Sequence, residues 1–172
     1  MITLDTSVFT YMLDPKSAPP IDPGTGQLVT NASGRVQLFI SELAKQRTKI
    51  LIPTPVLAET LARTGAAAPS YLEAIRRMAV FKIENFDDRA AIETSLIMGL
   101  HWKGRMQALR EHVSRHRVKF DLQIVATAAV HRSTEILSDD AGVKAMASLA
   151  NIPCRGIADL PEPPADLFSR IS

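Results

Sequence analysis

Short apolar runs separated by longer amphipathic stretches set the layout of this chain. Met1–Leu4, Lys49–Ile52, Val80–Ile83 and Glu135–Leu137 are brief and apolar or alternating, which predicts four strands, and Cys154–Ile157 offers a fifth. Between them, apolar positions recur at three- and four-residue spacing. Val8, Phe9, Met12 and Leu13 give a brief helix after the first strand, and Arg35–Arg47 repeats the pattern through Val36, Phe39, Ile40 and Leu43. Thr54 as N-cap, with Pro55 at the first helical position, opens a helix to Arg63. Further helices are expected over Pro69–Met78 and Phe86–Leu100, then, after a break at Gly99 and Gly104, from Arg105. Lys119-Phe120-Asp121 leads into a nearly all-apolar helix over Leu122–Val130, and Asp139-Asp140 starts one that runs to Ala150.

Asp14–Gly26 is dense in Pro and Gly and is a long loop. Strands alternating with helices predict an α/β fold, its sheet mainly parallel and covered on both faces. The expected division is one domain over 1–160 and a Pro-rich C-terminal tail over 161–172, in which Leu167, Phe168 and Ile171 are positioned to dock on a surface.

Composition narrows the class. At 172 residues, 46% hydrophobic and 22% charged, the chain has the balance of an ordinary globular domain and not of a disordered one. Met1-Ile-Thr-Leu-Asp5 has neither the basic nor the apolar region of a signal peptide, and no apolar stretch has spanning length, so no membrane is expected and the cytoplasm is the default compartment. A single cysteine, Cys154, excludes an internal disulfide and a cysteine-based zinc site. Net charge is +2, unevenly spread: 103–119 holds six Lys/Arg and one acid, leaving fourteen Lys/Arg against seventeen Asp/Glu elsewhere. A basic strip on an acidic body suits a polyanion; a solvated helix face is the plainer reading of the same charges.

In an open parallel sheet, ligands sit outside the carboxyl ends of the strands. Asp5 stands at one such end and Asp139-Asp140 at another, although each, taken singly, is equally the N-cap of the next helix. Asp121 shares a helix face with Ile124, Val125 and Ala128, where a carboxylate needs a cation or several hydrogen bonds. Glu59 precedes Arg63 by four residues, the spacing of an exposed ion pair. Together the four acids are an oxygen-only donor set of the kind that suits Mg²⁺ or Mn²⁺. Without a cation, carboxylates crowded in one pocket raise each other's pKa.

Four segments carry a resemblance: Ile2-Thr-Leu-Asp5-Thr-Ser-Val-Phe9, Ile50-Leu-Ile-Pro-Thr-Pro-Val-Leu-Ala-Glu59, Phe120-Asp121-Leu-Gln-Ile-Val-Ala-Thr-Ala128 and Ile136-Leu-Ser138-Asp-Asp140. In order and setting they resemble the PIN-domain ribonuclease family, whose largest group is the VapC-type toxins. The resemblance implies a three-layer α/β/α sandwich on a parallel sheet of four or five strands. It also implies a Mg²⁺- or Mn²⁺-dependent endoribonuclease whose metal-binding acids are Asp5, Glu59, Asp121 and Asp140. Ser7 and Ser138 would orient carboxylates or waters, and Asp139 would be a spare ligand or a cap. The basic stretch is longer than in minimal members of the family; its local charge, not the resemblance, points to Arg105, Arg110, Arg115, Arg117 and Lys119 as holding the RNA backbone, with an acidic partner as the alternative. A toxin role implies a type II toxin–antitoxin pair, an antitoxin partner and a homodimer. A dehalogenase-like phosphatase needs an acid where Ser7 stands. The remaining competitor is an inactive PIN-fold module that binds RNA or serves as a scaffold, and it is disfavoured because all four acids are present.

Overall fold

The computed structural model describes residues 1–14, 17–102 and 115–164, the side chains at 100–102 and 115–118 excepted. The apolar runs form the strands β1 (Ile2–Leu4), β2 (Ile50–Pro53), β3 (Phe81–Glu84), β4 (Glu135–Leu137) and β5 (Cys154–Arg155). All neighbours pair in parallel, in the order β3-β2-β1-β4-β5. The chain therefore builds outward from β1 in one direction through β2 and β3, then returns to lay β4 and β5 on the other side. That reversal places a crevice between the carboxyl ends of β1 and β4, which is where open α/β sheets bind ligands.

The helices are α1 (Thr6–Leu13), α2 (Ala32–Lys45), α3 (Thr54–Thr64), α4 (Ala68–Arg77), α5 (Asp88–Trp102), α6 (Arg115–Val130) and α7 (Ala141–Leu149). Two apolar clusters cover the sheet. One gathers Leu4, Phe9, Val36, Phe39, Ile50, Ile52 and Leu137 against α1 and α2. The other gathers Ile97, Leu122, Val125, Ile136, Val143 and Met146 among α5, α6 and α7. Leu4, Ile50, Ile52, Ile136 and Leu137 are essentially inaccessible, and each such side chain stabilises by about 2 kcal/mol. The result is the expected α/β sandwich on a parallel sheet of five strands. Among the described residues no helix is long and apolar enough to cross a membrane.

Several boundaries differ from the sequence reading, each for a local reason. Pro53 belongs to β2 and is itself the cap of α3; the Thr54 hydroxyl, expected to cap that helix, accepts the Phe86 amide at 2.9 Å and ties α3 to the chain after β3. Phe86 is therefore held before α5, not within it. α6 is already helical at Arg115, so Asp121 lies inside a continuous helix and is not its cap. Ile157 begins a 3-10 turn, Ile157–Asp159, and leaves β5 with two residues.

The ends of α2, α6 and α7 share one device. Arg47, Arg132 and Asn151 each adopt positive φ (56, 53 and 53°). The next residue's amide then reaches five residues back, Thr48 to Leu43, Ser133 to Ala128 and Ile152 to Ala147, all at 2.9 Å. These are Schellman-type stops without a glycine. They turn three helices sharply into β2, β4 and β5. The tail begins against α2: Leu160 and Pro163 are buried, and Arg35 donates to the Ala158 and Leu160 carbonyls and pairs with Glu162 at 3.7 Å. Leu167, Phe168 and Ile171 lie outside the described residues, as do Pro15 and Lys16 of the long loop.

Candidate active site

Asp5 is the first residue beyond β1, in extended backbone (φ −83°, ψ 163°), and caps α1. Its Oδ1 accepts the Thr6 amide at 2.6 Å. Its Oδ2 accepts two hydroxyls, from Ser7 at 2.8 Å and from Ser138 at 2.7 Å. Ser138 in turn accepts the Asp140 amide at 3.0 Å, so one hydroxyl links the ends of β1 and β4. With 4% of its surface accessible, Asp5 is a buried carboxylate. Burial pushes its pKa above the ordinary range against the pull of these hydrogen bonds, and nearby Asp140 adds a smaller push.

Asp140 caps α7, its Oδ1 accepting the Gly142 and Val143 amides at 2.7 and 3.3 Å. Asp121 comes from α6 and is buried, with 6% accessible. The two carboxylates meet over Gly142. A Cβ built there would stand 2.4 Å from Asp121 Oδ2 and 3.0 Å from Asp140 Oδ1. Gly142 thus gives up helix propensity in the first turn of α7 so that the Asp121 carboxylate can come close. Nothing in the sequence reading singled it out; the available signal was a glycine directly inside a helix opened by an Asp cap.

Asp5, Glu59, Asp121 and Asp140 all line one cavity of about 840 Å³, together with Arg63 and Phe120. Glu59, on α3, holds Arg63 at 2.8 Å across one helical turn. Asp139 is not part of the lining: its Oδ1 accepts the Ile157 amide at 2.9 Å, beside Lys144, and its pKa is raised by burial. Lys119 is exposed on α6. Arg105 and Arg110, and the side chains of Arg115 and Arg117, lie outside the described residues. Burial pushes the Cys154 thiol up to about 11, which makes it a poor nucleophile.

No protein-family model matches the chain, and no curated protein does. Solved structures do. A chain of the VapBC2 complex from Rickettsia felis, solved bound to a DNA fragment from their promoter, superposes with a TM-score of 0.59 at 15% identity, over 91% of this chain and 98% of that one. A chain of DNA-bound VapBC from Salmonella typhimurium gives 0.53 at 14% identity, over 91% and 97%. The fold is that of the VapC-type PIN domain.

On this PIN fold the donor set fits a hard divalent cation in chemistry: only oxygens are offered, Asp121 and Asp140 meet over Gly142, and Asp5 is tied to them through Ser138. Among the described residues no three His, Cys, Asp or Glu are gathered closely enough to chelate an ion as they stand. Binding one would draw Asp121, over Gly142, toward the hydrogen-bonded carboxylates of Asp5 and Asp140. Gly142→Ala should therefore leave the melting temperature within a degree or two, because the gain of about 1 kcal/mol in helix propensity offsets the push on Asp121. The same change should weaken Mn²⁺ binding about tenfold in isothermal titration calorimetry. Unchanged affinity would show that Asp121 needs no room at Gly142.

Proposed function

We propose that this protein is a metal-dependent endoribonuclease of the VapC type, acting as the toxin of a toxin–antitoxin pair. The observation that carries the reading is the convergence of Asp5, Glu59, Asp121 and Asp140 on one cavity at the switch point of a PIN fold. Asp5, Asp121 and Asp140 would hold Mg²⁺ or Mn²⁺, with Glu59 joining on release from Arg63. When bound, such a cation polarises a phosphoryl oxygen and supplies hydroxide at neutral pH.

The chain's own residues do the positioning. Ser7, Ser138 and the Thr6 amide fix both oxygens of Asp5, so the carboxylate is set before substrate arrives. The α7 amides fix Asp140 in the same way. No histidine lines the cavity among the described residues, so the reading needs no imidazole base. The two solved relatives are VapBC complexes bound to DNA. By analogy the partner here is an antitoxin of VapB type, and a homodimer is the expected assembly.

The test is direct. Purified protein incubated with single-stranded RNA should leave 5′-phosphate and 3′-hydroxyl ends in Mg²⁺ and no product in EDTA. Cleavage that persists in EDTA, or leaves 2′,3′-cyclic phosphate, would overturn the proposal.

A further inference from the structure

The acidic cavity is larger than a cation requires. At about 840 Å³ it has room for a nucleotide beside the carboxylates, and two of its lining residues, Phe120 and Arg63, are not candidate ligands. Phe120 is 48% exposed. Of the large apolar side chains exposed among the described residues, it is the one that lines this cavity. It precedes Asp121 on α6, so the ring stands next to the acidic group. Ile124, one turn on and buried, lines the same wall. A phenyl side chain left half exposed beside carboxylates gains little from folding, and it offers a platform for another flat ring.

Among the described residues that line the cavity, Arg63 is the one cation. Glu59 aims its guanidinium at 2.8 Å, with 58% of the Arg63 side chain and 41% of the Glu59 side chain accessible. An exposed pair of this kind holds weakly, about 1 kcal/mol at most, and yields to a phosphate, which accepts a guanidinium in a bidentate, charge-assisted way.

We infer that Phe120 and Arg63 form a nucleotide subsite at the acidic cavity, in which the Phe120 ring stacks on a base and Arg63 takes the adjoining phosphate. The inference rests on the nuclease reading for the identity of the polymer. It also narrows the substrate. In a duplex both faces of a base are covered by its neighbours, so the subsite selects unpaired RNA, and stacking on a bare ring discriminates little among bases. Arg63 then lies on the path by which a phosphate approaches an otherwise anionic cavity.

The test is binding without cleavage, by fluorescence anisotropy in Ca²⁺, using a ten-nucleotide single-stranded RNA and a series with one abasic position each. Phe120→Ala should weaken binding of the intact RNA about tenfold. At one abasic position the wild type should lose the same factor, and Phe120→Ala should lose nothing further. Phe120→Tyr should restore both the affinity and the abasic pattern. Arg63→Gln should flatten the log–log salt slope by about 0.7 and keep the abasic pattern. Unchanged affinity of Phe120→Ala overturns the subsite. A penalty that adds at every abasic position overturns it equally, as a general effect of the substitution. A protein that shows the expected pattern yet never cuts RNA would sink the nuclease reading and keep the subsite. One that cuts in Mg²⁺ with normal Phe120→Ala affinity would do the reverse.

Discussion

Asp5→Asn is expected to lower Mg²⁺-dependent RNA cleavage at least a thousandfold, roughly 4 kcal/mol of barrier, while the metal-free protein becomes more stable. The loss follows from position: three donors hold the Asp5 carboxylate at the mouth of the switch point, and an amide cannot supply the charge. The gain follows from burial. The unfolded carboxyl titrates near 3.8, and desolvation lifts the folded value above it, so the native state holds the proton more tightly. At neutral pH the ionised group therefore destabilises the metal-free fold. As pH falls through the folded value toward 3.8, that penalty disappears and stability rises. Thermal melting of metal-free protein between neutral and mildly acidic pH checks this. Wild type should gain stability on acidification, and Asp5→Asn should gain less, with Asp139, also raised by burial, supplying the remainder. Full cleavage by purified Asp5→Asn protein would remove Asp5 from the site.

Metal should stabilise the wild type strongly. A cation that binds only the folded site contributes RT ln(1 + [L]/Kd), about 2.7 kcal/mol at a hundredfold excess over Kd. For a chain of this size that amounts to roughly 5–10 °C in melting temperature. The double variant Asp5→Asn, Asp121→Asn should show almost none of it, because two of the three carboxylates that meet around Ser138 and Gly142 have lost their charge. Differential scanning calorimetry with MnCl2 and MgCl2 reads the effect. Equal shifts in both proteins would locate the cation elsewhere.

Much of this was legible from residue order. The strands are short, apolar and separated by amphipathic segments, so the parallel α/β architecture follows from periodicity, and Asp5 and Asp140 stand where strands end. Asp121 was legible in face but not in context: its neighbours Ile124 and Val125 put it on the apolar side, whereas the change from a basic to an apolar run at Lys119–Leu122 read as a helix start and is the interior of one helix, Arg115–Val130. The helix stops at Arg47 and Arg132 carry no glycine or asparagine, so their left-handed turns have no residue mark, whereas Asn151 is a type that takes this conformation. Gly142 carried a position mark, just inside an Asp-capped helix, but not its meaning. Its role depends on which carboxylate the fold brings over it, and that neighbour is 21 positions away in the chain. Phe120 and Arg63 were each legible as ordinary residues, an apolar position and a surface pair. Their shared cavity exists only once α3 and α6 are side by side.

The central claim is that Asp5, Asp121 and Asp140 hold a divalent cation in one cavity. Crystals soaked in MnCl2 and measured near the manganese absorption edge test it most directly. The expected result is an anomalous peak within about 2.2 Å of oxygens from at least two of these carboxylates, and its disappearance in the Asp5→Asn, Asp121→Asn protein. Well-ordered crystals with manganese bound elsewhere, or with a peak that survives both substitutions, would contradict the account.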